Sequence, residues 1–250
     1  MSTDVLGFVW IHGINQSESD LRDMQDWILR HLRQFGLLDR FCQTDGTPMV
    51  WCAQWRSLGS FLGDLEDLSR HRTRREEATL DIQNTIRQAW TTLETYRYGT
   101  ARTALLVCAH SMGQPLGLMA LHGLQKDSTY PVRTSLLSVG GPLGNQDPVV
   151  RRFLHTGVDG SYWVRHLVPQ KPTALFEWTD VWNPLDPVCC APVLGYSAYP
   201  GACGTMFKVM GQPPILNPLE RNVTKYHGMY FEYDEIWHEA NAMLTRLQSP

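Results

Sequence analysis

A serine closes an apolar run in Ala104-Leu105-Leu106-Val107-Cys108-Ala109-His110-Ser111-Met112-Gly113. Read as chemistry, Ser111 is a nucleophile carried by a buried strand into a tight strand–turn–helix junction, with a helix expected over residues 116–125. The demand is steric: such a turn tolerates almost no side chain two positions before or after the serine, and Ala109 and Gly113 satisfy it. The same residues also fit an ordinary βα junction whose serine caps the helix. A hydroxyl is a poor nucleophile near neutral pH and needs an imidazole to take its proton. The imidazole in turn needs an acceptor that fixes its tautomer and stabilises its charged form. Downstream, Asp186 lies in Asn183-Pro184-Leu185-Asp186-Pro187-Val188, just past a strand-like run, and His227 lies in Lys225-Tyr226-His227-Gly228-Met229-Tyr230. Asp180 and the more deeply placed Glu177 are the competing acids, and His166 and His238 the competing bases. Motif context ranks Asp186 first, and chain order ranks His227 first.

Three such groups meet only if a rigid scaffold aims them at one point. The chain alternates strand-like and helix-like patterns, as a largely parallel sheet with helices on both faces requires. The first strand, residues 5–11, ends in His12-Gly13-Ile14-Asn15. A helix is expected over 19–35, with Leu21, Met24, Ile28, Leu32 and Phe35 on one face, Ser17 or Ser19 as cap and Gly36 as stop. A second strand covers 49–55. A longer helix covers 78–96, with Leu80, Ile86, Ala89, Trp90 and Leu93 inward. Strands follow at 134–139 and 174–182, then a short strand at 221–226 and an amphipathic helix at 230–247.

Two stretches stand apart from this alternation. Residues 57–75 carry the stripe Leu58, Phe61, Leu62, Leu65 and Leu68, which fits a lid or equally a helix packed on the core. Residues 189–218 are rich in Gly and Pro with Tyr196, Tyr199 and Phe207 among them, and read as a long excursion over the surface. Long loops in compact domains are usually functional or mobile. With no repeat, low-complexity tract or linker, residues 1–250 are expected to form a single domain with lid or cap excursions at 57–75 and 189–218.

A net charge of −3, from 22 basic and 25 acidic residues, offers no electrostatic reason to expect nucleic acid or an anionic membrane as partner. The cluster Arg70, Arg72, Arg74 and Arg75 is flanked by Glu66, Asp67, Glu76 and Glu77 and reads as a mixed, solvated face. No stretch approaches the roughly 20 apolar residues that span a bilayer. The first strand follows Met1-Ser2-Thr3-Asp4 directly, so no secretory signal is expected. The six cysteines form no C-x-x-C pair, and a reduced, cytoplasmic protein is the expectation. The sequons at Asn15 and Asn222 would then carry no glycan. Export without a cleavable signal stays compatible with the sequence, as does one disulfide among Cys189, Cys190 and Cys203. His238-Glu239 opens a zinc-protease helix pattern, yet Ala242 stands where its second histidine is required, so no metal is expected. Gly140-Gly141-Pro142-Leu143-Gly144 lacks the Lys-Ser/Thr ending of a phosphate loop, so no nucleotide cofactor is expected.

Taken together, His12-Gly13-Ile14, the Ala-His-Ser-Met-Gly elbow, Gly140 to Leu143, the Asp186 loop and His227-x-x-Tyr230 follow one another at strand ends, and the chain resembles the α/β-hydrolase superfamily, most closely its small serine lipases and esterases. The order Ser111, Asp186, His227 is the order of that fold. The resemblance implies a mostly parallel, doubly wound sheet flanked by helices, in a minimal version lacking the first two strands. It implies an oxyanion hole from the backbone amides of Ile14 and Met112. It further implies an ester hydrolase working through an acyl-enzyme, with no cofactor, on a small-molecule or lipid ester. Thioesterase, acyltransferase and amidase chemistry use the same residues, and a non-catalytic interaction protein of this fold is the alternative from another class. Leu58, Phe61, Leu62 and Tyr196 are the candidate substrate contacts. Oligomeric state and substrate identity are not encoded in any motif found.

Overall fold

Strand-like runs with apolar residues at both parities are what a sheet covered on both faces needs, and the first and third strands show it. The structure, a computed structural model, describes residues 4–13, 18–56, 63–64, 67–68, 71–125, 133–144, 175–182, 186, 207–209 and 227–249. Strand β1 (Val5–Ile11) sends Val5, Val9 and Ile11 to one face and Leu6, Phe8 and Trp10 to the other. Strand β3 (Thr103–His110) does the same with Leu105, Val107 and Ala109 against Ala104, Leu106 and Cys108. These pair in register, Trp10 beside Cys108 and Ile11 beside Ala109. With β2 (Val50–Ala53), β4 (Thr134–Val139), β5 (Leu175–Trp182) and β6 (Phe207–Val209) they form a six-stranded sheet in the order β2-β1-β3-β4-β5-β6, every pair parallel. This is the largely parallel sheet flanked by helices that the alternation of the chain predicts.

Helices cover both faces. Helix α1 (Glu18–Gln34) and helix α4 (Asp234–Gln248) pack on one side through Ile28, Leu32, Ile236, Met243 and Leu247. Helix α2 (Arg72–Thr95) and helix α3 (Gly113–Leu124) pack on the other through Ile82, Ile86, Leu93, Leu116 and Leu121. The second of these cores also takes in Leu68 from the 57–75 stripe, which is 2% exposed. Fully burying such a side chain contributes about 1.5–3 kcal/mol.

Five local expectations are corrected. Leu80 is 51% exposed rather than inward, because it lies six residues before Ile86 and so about 120° round the helix; Ile82 takes the inward place. Helix α2 begins at Arg72, so residues 72–75 belong to it and not to an excursion. Its first turn is held by Arg72–Glu76 and Arg74–Glu77 pairs at helical spacing and by Arg74–Asp67. Arg75, expected on a solvated face, is 1% exposed and donates to the Leu68 carbonyl at 2.6 Å. Finally, the surface excursion expected at 189–218 contains β6, an edge strand of three residues, too short for any periodicity to reveal. The last helix starts later than expected because a 3-10 turn, Met229–Glu232, precedes it and an extended Tyr233 separates the two. The strand expected at 221–226 lies outside the described residues.

Candidate active site

The site is built where β3 ends. Ser111 has φ 55°, the sole positive value for a non-glycine among the described residues, and a left-handed serine persists only where its surroundings enforce it. Four contacts do so. The Ser111 N–H donates to the Val139 carbonyl at the end of β4 (3.0 Å), and the Ser111 carbonyl accepts from Gln114 N–H (3.0 Å). A Cβ on Gly113 would stand 2.7 Å from the Ile11 carbonyl oxygen and 2.8 Å from that of His12. A Cβ on Gly13 would stand 2.6 Å from Ser111 Cβ, so the loop after β1 approaches the serine as only glycine allows. The helix-capping alternative fails: α3 has Met112 at its N-cap and no side-chain cap.

The hydroxyl is engaged elsewhere. Ser111 Oγ lies 2.7 Å from His227 Nε2, and His227 Nδ1 lies 2.8 Å from Asp186 Oδ2. With the ring proton on Nδ1 and donated to Asp186, Nε2 is free to accept from the serine. Asp186 is fully buried, and a buried carboxylate is costly unless donors surround it. A second donor is present: Tyr230 O–H reaches the same Asp186 Oδ2 at 2.8 Å. Tyr230 is 1% exposed, and its ring packs 2.7 Å from where a Cβ would stand on Gly140, a glycine with φ 62° at the end of β4.

The competing acids have other partners. Asp180 Oδ1 accepts from Gln114 Nε2 (2.7 Å) and Ser138 Oγ (2.5 Å), while Trp178 Nε1 donates to Ser138 Oγ at 2.8 Å. Gln114 Oε1 also accepts from Leu143 N–H (3.1 Å), so one buried amide ties the elbow helix to the ends of β4 and β5. Glu177 pairs with Arg246 of α4 at 2.7 Å. Of the competing bases, His238 is exposed on α4 and His166 lies outside the described residues.

Two further histidines border the site. His110 donates from Nε2 to the His227 carbonyl (2.9 Å) and stacks on the His227 ring with centroids 4.8 Å apart. Burial, reinforced by the neighbouring His227, pushes His110 down from the ordinary histidine value to about 3, so it stays neutral. His12 is structural: its ring stacks on Trp55 at 4.8 Å and 3°, and Trp55 Nε1 donates to the His12 carbonyl at 3.1 Å. Burial pushes it down to about 4.

The structure brings Ser111, Asp186 and His227 into one hydrogen-bonded chain. Met112 follows Ser111 and is buried, and among the described residues its backbone N–H makes no hydrogen bond. Ile14, Leu58, Phe61, Leu62 and Tyr196 lie outside the described residues, as do Cys189, Cys190 and Cys203. Three contributions were missed. Tyr230 was visible as the third residue after His227, but nothing in its type announces a bond to Asp186. Gly13 and Gln114 act through approach and burial, which spacing does not show. Among the described residues, no cluster of His, Cys, Asp and Glu could hold a metal, and no helix is long and apolar enough to cross a membrane.

No protein-family model and no curated protein matches the chain. Among solved structures it is similar to a metagenomic carboxyl esterase, at 13% identity and TM-score 0.35, over 73% of this chain and 51% of that one. It is similar to an acetyl ester-xyloside bifunctional hydrolase from Caldicellulosiruptor lactoaceticus, at 12% and TM-score 0.42, over 97% and 86%. It is also similar to the Tle1 effector bound to the VgrG spike of a type 6 secretion system, at 9% and TM-score 0.32, over 74% and 46%. The chain thus spans about half the length of the first and third of these proteins.

Proposed function

We propose that the protein is a serine hydrolase that cleaves an ester through an acyl-enzyme. The observation that carries this reading is the unbroken chain from Ser111 Oγ to His227 (2.7 Å) and from His227 to Asp186 (2.8 Å). Ser111 attacks the ester carbonyl as His227 Nε2 takes its proton. Asp186 holds the tautomer and stabilises the imidazolium. His227 then hands the proton to the leaving alkoxide, and water repeats the cycle on the acyl-enzyme. The developing oxyanion would sit against the Met112 N–H, which makes no hydrogen bond among the described residues, with Ile14 N–H as the second donor; a preorganised donor of this kind lowers the barrier by about 3 kcal/mol.

The test is an active-site-directed fluorophosphonate with mapping of the adduct. Labelling is expected on Ser111 and lost in Ser111→Ala. Full esterase activity in Ser111→Ala would end the proposal. A panel of matched esters, thioesters and amides separates ester hydrolysis from the other acyl-transfer chemistries, and inertness across it would favour a scaffold role. Leu58, Phe61, Leu62 and Tyr196 belong to this reading as acyl-chain contacts; acetate proving fastest in a chain-length series of nitrophenyl esters would remove them.

A further inference from the structure

A cleft of about 440 Å³ opens next to the proposed base, within the size range of small-molecule sites. Gly228, the residue after His227, is part of its lining, and so is His110, whose ring stacks on His227. Trp10, Trp27, Phe231 and Met24 supply the rest of its apolar lining. The three larger rings lock one another in place. Trp10 and Phe231 meet edge to face at 4.6 Å, Trp27 and Phe231 at 5.8 Å, and Trp10 and Trp27 are tilted at 5.9 Å. A wall built this way is preorganised, so an occupant does not have to order it. Asp23 and Arg30, both exposed and without an ion pair among the described residues, make the rim polar. Trp10 also carries a buried indole N–H with no hydrogen-bond partner among the described residues.

Position decides which part of an ester belongs here. In the proposed reaction His227 Nε2 must deliver its proton to the leaving oxygen, so the alcohol part of the substrate lies against His227 and the acyl part lies against Ser111. The cleft begins at Gly228 and at His110, whose ring stacks on His227, while Ser111 and the His227 ring lie just outside its lining. Its lining decides the chemistry: aromatic edges and faces held at fixed angles favour another aromatic ring over a flexible alkyl chain of equal size.

Resting on the serine-hydrolase reading, we infer that this cleft is the leaving-group pocket, and that the substrates are esters of aromatic alcohols. The aryl ring sits among Trp10, Trp27 and Phe231, and the polar rim tolerates a substituent at its outer edge. Hydrolysis balances in the ordinary way: water adds across the ester bond, and the arylmethanol and the acid are released.

The experiment compares kcat/KM for 2-naphthylmethyl, cyclohexylmethyl and ethyl acetates, whose alcohols have similar acidity, so that the ratios report recognition and not leaving-group reactivity. The naphthylmethyl ester is expected to exceed the ethyl ester by about tenfold or more, with the cyclohexylmethyl ester between them. Trp27→Ala is expected to bring the naphthylmethyl-to-ethyl ratio down at least fivefold. Met24→Trp, which fills the cleft instead of emptying it, is expected to lower the same ratio, and it covers the case in which Trp27→Ala does not fold. Binding of 2-naphthylmethanol to Ser111→Ala, measured by calorimetry, is expected to saturate and to weaken about tenfold when Trp27→Ala is added. A ratio near one in the wild type, or a ratio that neither variant moves, overturns the pocket and leaves the hydrolase reading standing. Hydrolysis that survives in Ser111→Ala overturns the hydrolase reading, while saturable binding of the alcohol still reports on the cleft.

Discussion

The two faces of the sheet differ in what they are made of and in what they touch. On the α2/α3 face the core is mainly aliphatic, with Val9, Ile11, Ile82, Ile86, Leu93, Leu105 and Leu116 packed to near-zero exposure. Glycines there serve close approach: a Cβ on Gly117 would meet Ile11 Cδ1 at 2.9 Å. On the α1/α4 face aromatic rings are added to the aliphatic packing, through Phe8, Trp10, Phe41, Phe231 and Trp237, with Trp27 and Phe35 half-buried beside them. The cleft lies on this second face, and so do Tyr230 and the ring of His110. Interdigitating aliphatic chains leave few voids and transmit strain, which suits the face that clamps the elbow. Large flat rings meeting edge to face leave an angular gap at their margin, which suits the face that borders the base. One face fixes where the serine stands, and the other surrounds the histidine and its acid.

That division can be broken by experiment. The largest effect is expected from Asp186→Asn, which should lower kcat by about 10⁴-fold through loss of the correct imidazole tautomer; steady-state kinetics on folded protein measure it. Next comes Ile86→Ala on the aliphatic face, expected to cost about 2–5 kcal/mol of stability in urea melts while kcat per folded molecule is unchanged. A fall in kcat comparable to that of a site variant would show that the two faces are not separate in role. Smaller again is Tyr230→Phe, which removes one donor from Asp186 Oδ2; at about 1.5–3 kcal/mol for a hydrogen bond to a charged group, kcat should fall roughly ten- to a hundredfold with KM unchanged. An unchanged kcat would reduce Tyr230 to a packing residue.

The smallest expected effect is on stability against pH. His12 titrates near 6.5 when unfolded but is held down to about 4 by burial when folded. Between those values the unfolded chain binds the proton and the folded chain does not, so stability is full above about pH 6.5 and declines as pH falls toward 4. His110, held down to about 3, acts in the same direction. Melting temperatures should therefore drop from pH 7 to pH 4.5, and His12→Gln should flatten the slope. A slope identical to that of the wild type would remove His12 as its source.

Much of the scaffold was readable because it follows local rules. The span of β4 was placed correctly, β1 and β3 alternate as two-sided strands do, and Ile28, Leu32, Ile86, Ala89 and Leu93 fall on the buried faces of their helices. Ser111 was legible because Ala109 and Gly113 are a steric signature. The errors have separate causes. Leu80 was placed inward on hydrophobicity alone and helix periodicity turns it outward, Arg75 was placed outward on charge alone and the Leu68 carbonyl draws it in, and three-residue β6 falls below any pattern's resolution and is a strand through its pairing with β5.

The sequence by itself determined the elbow, the order of serine, acid and histidine, and the alternation that makes a parallel sheet, because each depends on residue type and short-range spacing. Only the tertiary structure decided the rest. Asp186 and not Asp180 bonds His227, since Gln114 and Ser138 already occupy Asp180. Tyr230 folds back onto the acid, Gly13 lies against Ser111, and Trp10, Trp27 and Phe231 converge on one cleft. These contacts join residues up to 221 positions apart, Trp10 to Phe231 being the longest, and such pairings are selected by packing and satisfied hydrogen bonds and not by any local code.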